Sequence, residues 1–249
     1  MTTAGVEGPD WSAKAEAWAE LWAHLADPAR AAIADAAGIG PGTRVLDIGC
    51  GSGEFLVQAA GRGAAASGID AAEGMIEIAR RRLPEADLRV GPMEQLPWPD
   101  AAFDLACGFN AFQFAADVTG ALAEAGRVAA RVAICSWARR REALDVLEPL
   151  EALVPAEDES GPPRPRLSEP GVIERLAREA GLHPGPAAEV DVPYEAPDEA
   201  TLVRALMFDV PQLGEDVVRR VGLEAAAPYR RPDGSYRFEN RFRYLIADA

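Results

Sequence analysis

The chain is poor in lysine, histidine and cysteine, and it has no long apolar run. Two histidines and three cysteines occur among 249 residues, and Lys14 is the single lysine beside many arginines. Cys50, Cys107 and Cys135 form an odd set with no C-x-x-C spacing. That excludes a disulfide framework and a zinc knuckle, so no metal is expected. The three thiols read instead as small buried hydrophobes, which suits a reducing, cytoplasmic location. No stretch approaches the roughly 18 apolar residues that cross a bilayer. Residues 1–7 carry neither the basic cluster nor the apolar stretch of a signal peptide, so none is expected. A formal charge of −15 argues against nucleic acid or an anionic membrane as a partner, because both require basic patches. With two histidines, few side chains titrate near neutrality unaided. His24 is the weak candidate for a base, and His183 sits at a predicted helix end. No Ser-His-Asp or Cys-His set is recognisable.

What is present is concentrated in residues 45–53, Val-Leu-Asp-Ile-Gly-Cys-Gly-Ser-Gly. An apolar, partly β-branched run reads as a buried parallel strand. Alternating glycines then allow a sharp turn and a close approach of backbone to a ligand. Glu54-Phe55-Leu56-Val57 starts a helix whose free N–H groups face that turn. The spacing rejects a dinucleotide fingerprint, since the third glycine of G-x-G-x-x-G falls on Glu54. Asp47, just ahead of the turn, suits a cationic ligand better than a pyrophosphate. A second short strand, Ala65–Ile69, ends at Asp70, where a carboxylate can accept hydrogen bonds from both hydroxyls of a ribose.

The run D-x-G-x-G-x-G resembles motif I of the class I S-adenosylmethionine-dependent methyltransferases, of the UbiE-like small-molecule type. Asp70 is similar to that family's ribose acid. Val90-Gly91-Pro92-Met93-Glu94-Gln95-Leu96-Pro97 is similar to its G-D-A-E-x-L-P adenine motif, with Pro92 in place of the aspartate. The adenine contact then rests on backbone near Met93. Phe103–Asn110 resembles the strand of motif IV, with Phe112 and Gln113 following near the methyl group. The resemblance implies S-adenosylmethionine as cofactor, held by Asp47, Gly49, Cys50, Gly51, Gly53, Asp70, Ala71, Met75, Met93, Glu94 and Asn110. It covers residues 10–140 well and 168–194 and 236–247 more loosely. Where the family places Pro-Gly-Gly before its fifth strand, this chain has Ala125-Gly126-Arg127-Val128-Ala129-Ala130.

The remaining pattern predicts one α/β domain over 1–249, a doubly wound, seven-stranded, mostly parallel sheet. Residues 10–37 read as helix broken at Pro28. Helices are expected at 53–61, 73–82 and 117–126, and strands at 65–69, 87–90, 103–107 and 131–136. Beyond these come a helix over 139–153, a loop over 155–165, and a helix N-capped by Ser168 that ends at Gly181. A strand over 188–194, helices at 198–208 and 212–226, and a last strand over 236–247 complete the chain. Segments 138–167 and 195–235 leave the carboxyl ends of strands, the ligand face of an open α/β sheet. They are expected to act as helical lids together with the first helix. Trp11, Trp18, Trp22, Phe112, Gln113, Met207 and Phe208 would line an apolar acceptor pocket, with Leu213 nearby. Two functions stay open. One is methyl transfer to O, N or C of a small-molecule acceptor; the other is a SAM-binding protein that performs cyclase- or isomerase-like chemistry or binding alone. A homodimer is the one protein assembly left open.

Overall fold

Strand β1 (Arg44–Ile48) has its last four residues fully buried, and its alternation assigns them to two different cores. Leu46 and Ile48 point to one face of the sheet, and Val45 to the other. A strand buried on both faces must be apolar throughout, and Asp47 is therefore an anomaly that the site explains. The computed structural model of the chain describes residues 8–155 and 165–249. Most of the acidic and Pro-rich loop expected over 155–165, namely 156–164, lies outside the described residues.

Around β1 the chain alternates: helix α1 (Gly8–Leu21), a short 3₁₀ turn, α2 (Asp27–Ala36), β1, α3 (Glu54–Gly61), β2 (Ala65–Asp70), α4 (Glu73–Arg82), β3 (Asp87–Val90), β4 (Leu105–Phe109), α5 (Val118–Val128) and β5 (Arg131–Arg141). Next come α6 (Ala143–Glu151), α7 (Val172–Glu179), β6 (His183–Pro184), β7 (Ala188–Asp191), β8 (Tyr194–Ala196), α8 (Glu199–Asp209), α9 (Glu215–Ala226), β9 (Tyr236–Phe238) and β10 (Asn240–Asp248). The main sheet runs β3-β2-β1-β4-β5-β10-β6, with β7 also on β10. Strands β1 to β5 are mutually parallel, and β10 is antiparallel to β5. The expected doubly wound sheet is present. It has eight strands rather than seven, because the outer position beside β10 is shared. Pro184 and His183 pair with Ala247 and Asp248, and residues 188–191 pair with 241–244.

One core layer packs α5 and α7, through Ala121, Leu122, Ile173 and Leu176, on Leu46, Ile69, Val132 and Ile134. The opposite layer packs α2 and α3, through Ala29, Ile33, Phe55 and Ala59, on Val45, Leu105, Cys107 and Ala133. A third cluster, Leu150, Tyr194, Leu202, Leu206, Val218 and Phe238, belongs to α6, α8, α9 and the separate two-stranded β8–β9 sheet. All three thiols are buried, and burial pushes Cys135 up to about 12.

Several boundaries differ from expectation, each for a local reason. The first helix breaks at Trp22, not Pro28, and Pro28 sits in the first turn of α2. Strand β5 continues to Arg141 because β10 pairs with it along its length. The helix expected from Arg139 therefore starts at Ala143. Ser168 does not cap α7; Gly171, in the left-handed region at φ 82°, precedes the helix instead. The last strand is interrupted at Glu239. There Asn240 donates to the Phe238 carbonyl at 3.3 Å and accepts from the Ala143 amide at 3.2 Å, and β9 turns away to pair with β8. The connection before β5 is only Ala129-Ala130, tied by the Ala130 amide to the Phe103 carbonyl at 3.1 Å.

Candidate active site

The turn after β1 is built by backbone. Gly49 lies at φ 69°, and a Cβ there would sit 2.5 Å from the Cβ of Ala111. A side chain is thus excluded both by conformation and by the loop after β4. The Gly49 and Cys50 amides donate to the Ile69 carbonyl at 2.8 and 3.1 Å. The Gly51 amide donates to Oδ2 of Asp70 at 2.8 Å, and the Ala72 amide donates to Oδ1 at 2.8 Å. Asp70 therefore clips the glycine turn to the end of β2 while keeping lone pairs for a ligand. Burial raises its pKa, and the Ala72 and Gly51 amides oppose that rise. Glu54, which stands where a dinucleotide fold needs its third glycine, is buried and accepts from Ser52 Oγ at 2.5 Å and from Arg82.

Above this turn lies a cavity of about 390 Å³. Its lower wall holds Gly49, Gly51, Asp70, Ala71, Met75, Gly91, Met93 and Asn110. Asn110 sits at φ 50° and accepts from the Trp137 amide through Oδ1 at 2.9 Å, which fixes the loop leaving β4. The opposite wall is aromatic. Trp11 meets Trp18 edge-on at 5.4 Å and Phe114 at 5.5 Å, and Phe208 lies 6.0 Å from Trp18. The indole nitrogen of Trp18 lies 3.7 Å from where a Gly51 Cβ would be, so this wall reaches down to the glycine turn. Helix α1 is seated by close backbone contact: a Cβ on Gly74 would lie 2.7 Å from the Ser12 carbonyl oxygen, and one on Gly8 2.5 Å from that of Ala71.

Buried charge gathers at one end of the cavity. Arg30 on α2 is 7 % exposed and lines the cavity. Its Nη1 donates to the Ala23 carbonyl at 2.6 Å and to Asp27 Oδ1 at 2.9 Å, and its guanidinium lies over the Phe109 ring at 5.7 Å. Arg30 Nε, Asp47 Oδ1 and Trp22 Nε1 are buried without a hydrogen-bond partner. Burial pushes Asp47 up to about 8, against the pull of the Arg30 charge. Unsatisfied buried groups are costly, so three of them near one cavity mark a place prepared for a polar ligand. Among the described residues no group of three or more metal-ligating side chains is gathered anywhere.

Of the residues singled out in the sequence, Trp11, Trp18, Trp22, Gly49, Gly51, Asp70, Ala71, Met75, Met93, Asn110, Gln113 and Phe208 line this one cavity. Others do not reach it. Asp47 lies beneath the turn. Cys50 packs with Leu56 and Ile76, and Gly53 packs against Ala79. Glu94 accepts from the Ala116 amide at 2.8 Å. Phe112 fills the core under Gly108, and its place at the cavity is taken by Phe114. Met207 and Leu213 pack into the cluster of α8 and α9. The side chain of His24 is 74 % exposed beside Asp27 and stays outside the cavity, so it is no base for chemistry there. Sequence reasoning missed Arg30, Glu151 and Asp209. Arg30 had a signal, since it falls on the buried stripe of α2 with Ala26, Ile33 and Ala34. Asp209 had one too, as an acid at the last position of α8, where the helix end disfavours negative charge.

Comparison with known proteins agrees with this geometry. Residues 46–135 match the family model described as a methyltransferase domain. Over 88 residues the chain is 40% identical to a malonyl-[acyl-carrier protein] O-methyltransferase from Serratia marcescens, covering 35% of this chain and 34% of that protein. The chain thus spans about a third of the length of the curated relatives it matches. A SAM-dependent methyltransferase from Aquifex aeolicus shares the fold with a TM-score of 0.56 at 18% identity, covering 96% of this chain and 98% of that one. The [4+2]-cyclase SpnF does so with a TM-score of 0.57 at 20% identity, covering 91% and 82%. With the glycine turn, the acid at the end of β2 and the sheet order all in place, residues 46–135 are similar to methyltransferase domains, and the chain has the fold of the Aquifex aeolicus SAM-dependent methyltransferase.

Proposed function

We propose that the chain methylates a small, largely apolar acceptor held between the glycine turn and the helices α1, α6 and α8. The observation that carries this reading is continuity: a single cavity runs from Gly49, Gly51 and Asp70 to Trp22, Leu144, Leu147 and Phe208. Cofactor floor and acceptor chamber thus share one continuous cavity. In this reading the described residues 138–155 and 195–235 serve as lids, and α1 closes the cofactor side.

The residues present fit the cofactor. Its amino-acid end carries a carboxylate, which Arg30, lining the cavity with an orphaned Nε, would meet. Asp70 would accept from the ribose hydroxyls. Ala71, Met75 and Met93 would wall the adenine, with the backbone near Gly91 in place of the missing aspartate side chain. When bound, the sulfonium supplies an already activated methyl group. The protein's part is to hold the acceptor in line and to exclude water. Trp11, Trp18 and Phe208 would do both, since their rings close over the turn.

Calorimetry with S-adenosylhomocysteine and with NAD tests the cofactor assignment; tight NAD binding without heat from the homocysteine form would overturn it. Turnover of labelled S-adenosylmethionine against a panel of aromatic acceptors tests transfer. Cofactor binding with no methylated product from any acceptor would favour the reading in which the fold binds SAM for another end.

A further inference from the structure

Of the polar side chains in the cavity wall, Arg30, Asp70 and Asn110 are engaged with the protein, whereas Gln113, Glu151 and Asp209 are not bonded to any described residue. Asp70 and Asn110 are bonded to backbone, and Arg30 to Ala23 and Asp27. Asp209, the last residue of α8, lines the same cavity and makes no hydrogen bond or ion pair with any of the described residues. It follows Phe208, whose ring stands against Trp18, and Trp18 in turn stands over Gly51. Asp209 is therefore on the acceptor side of the point to which the cofactor turn is directed. Accepting the methyltransferase reading above, we propose that Asp209 is the catalytic base that takes the proton from a hydroxyl-bearing, apolar acceptor as the hydroxyl oxygen is methylated.

The step balances. The oxygen's electron pair forms the new bond to the methyl carbon, the carbon–sulfur pair returns to sulfur, and the O–H proton passes to the Asp209 carboxylate. A cationic sulfonium, a neutral hydroxyl and a carboxylate become a thioether, an ether or ester and a carboxylic acid.

The surroundings of Asp209 suit this task. Asp209 lines the cavity, and desolvation there pushes its carboxyl up to about 7. Glu151 of α6, which also lines the cavity, raises it further, and Lys14 of α1 pulls the other way. Tyr194 of β8, stacked on Trp22 at 4.6 Å, is close enough to feel the Asp209 charge, and so is Arg204 of α8 to share that field. A carboxylate with no partner among the described residues, in a wall of tryptophan and phenylalanine, has its acceptor capacity left for a ligand. A base whose pKa lies near the working pH is the effective kind.

The test uses the full chain saturated with S-adenosylhomocysteine and two probes, 2-naphthol and 2-methoxynaphthalene, which differ only in the O–H. Neither titrates between pH 6 and pH 8. The wild type should prefer the naphthol by about tenfold at pH 8, the margin of a hydrogen bond to a charged acceptor. That preference should fall through a midpoint near neutrality as pH is lowered. Asp209→Asn should keep S-adenosylhomocysteine affinity and its circular dichroism spectrum but lose the pH dependence of the preference. Glu151→Gln should move the midpoint to lower pH, a shift that a merely structural role of Asp209 would not produce. A pH-dependent preference that survives in Asp209→Asn, or failure of both probes to bind the saturated protein, would overturn the assignment. Failure to bind S-adenosylhomocysteine at all would instead count against the methyltransferase reading. Asp209→Ser serves as a second neutral variant should the asparagine protein not fold.

Discussion

The floor and the roof of the cavity are made by different means. The floor, from β1 to β4, presents main chain: three glycines in the left-handed region, amides aimed at Asp70, and small residues such as Ala71 and Ala111. The roof, from α1, α6, α8 and α9, presents large side chains and holds itself together through its own cluster of Leu150, Leu206, Val218 and Phe238. The matched methyltransferase model spans 46–135 and so covers the floor but none of the helices α1, α6, α8 and α9. Backbone geometry tolerates few sequences, whereas an apolar wall can be built from many. The part built from backbone is therefore the part that other proteins share.

That contrast can be broken from the floor side first. Gly49→Val should be the most damaging single change, since its Cβ would overlap Ala111 and its φ is 69°. Strain and overpacking together should cost about 3 kcal/mol or more, read from denaturant midpoints. A variant as stable as the wild type would show that the loop after β4 gives way easily. Next in size, Asp70→Ala should lower affinity for S-adenosylhomocysteine by about 1.5–3 kcal/mol in calorimetry, with the sheet intact by circular dichroism. Unchanged affinity in a folded variant would remove Asp70 from the ribose site.

Asp47 sharpens the comparison through pH. Its folded pKa is raised to about 8 from an ordinary 3.8, with burial as the main cause. A raised acid contributes stability that is complete below the unfolded value and is lost as pH rises through the folded one. Asp47→Asn should therefore stabilise the ligand-free protein by about 2 kcal/mol at pH 9, and the gain should fade to nothing below pH 4. Thermal melts across that range check it, and a gain independent of pH would mean that the carboxylate is satisfied in the fold. The smallest effect belongs to the roof. Arg204 and Glu20 join α8 to α1 at 2.6 Å, but both side chains are more than half exposed. Arg204→Ala should shift the melting temperature by only about 1 °C, because exposed ion pairs add little to packing. A large drop would mean that this pair, and not the aromatic contact, holds α1 in place.

The floor was legible in the sequence because its rules are local. Glycine spacing, the acid ahead of the turn and the acid after β2 state a backbone path that no side-chain packing can alter. The element order followed from alternation, and boundaries slipped where tertiary pairing decided them, as where β10 extends β5 to Arg141. The roof was legible only as an aromatic face. Whether Phe112 or Phe114 meets the cavity depends on a tight 3₁₀ turn at 112–114, and Met207 or Phe208 on the rotation of α8 by one residue. His24 was misplaced for the same reason, since it falls in the 3₁₀ turn after the break at Trp22 and not on a continuing helix. Such choices are set by long-range packing, which a single sequence does not spell out.

The small β8–β9 sheet has a consequence for how this protein can change over generations. It anchors the roof on a ribbon that shares no backbone pairing with the main sheet. Under the proposed function, substitutions at Leu144 and Leu147 of α6 would therefore reshape the acceptor chamber with little strain passed to Gly49, Gly51 or Asp70. On that function, selection for a new acceptor and selection to keep the cofactor would act on separate sets of residues, and a lineage could explore the first without spending the second.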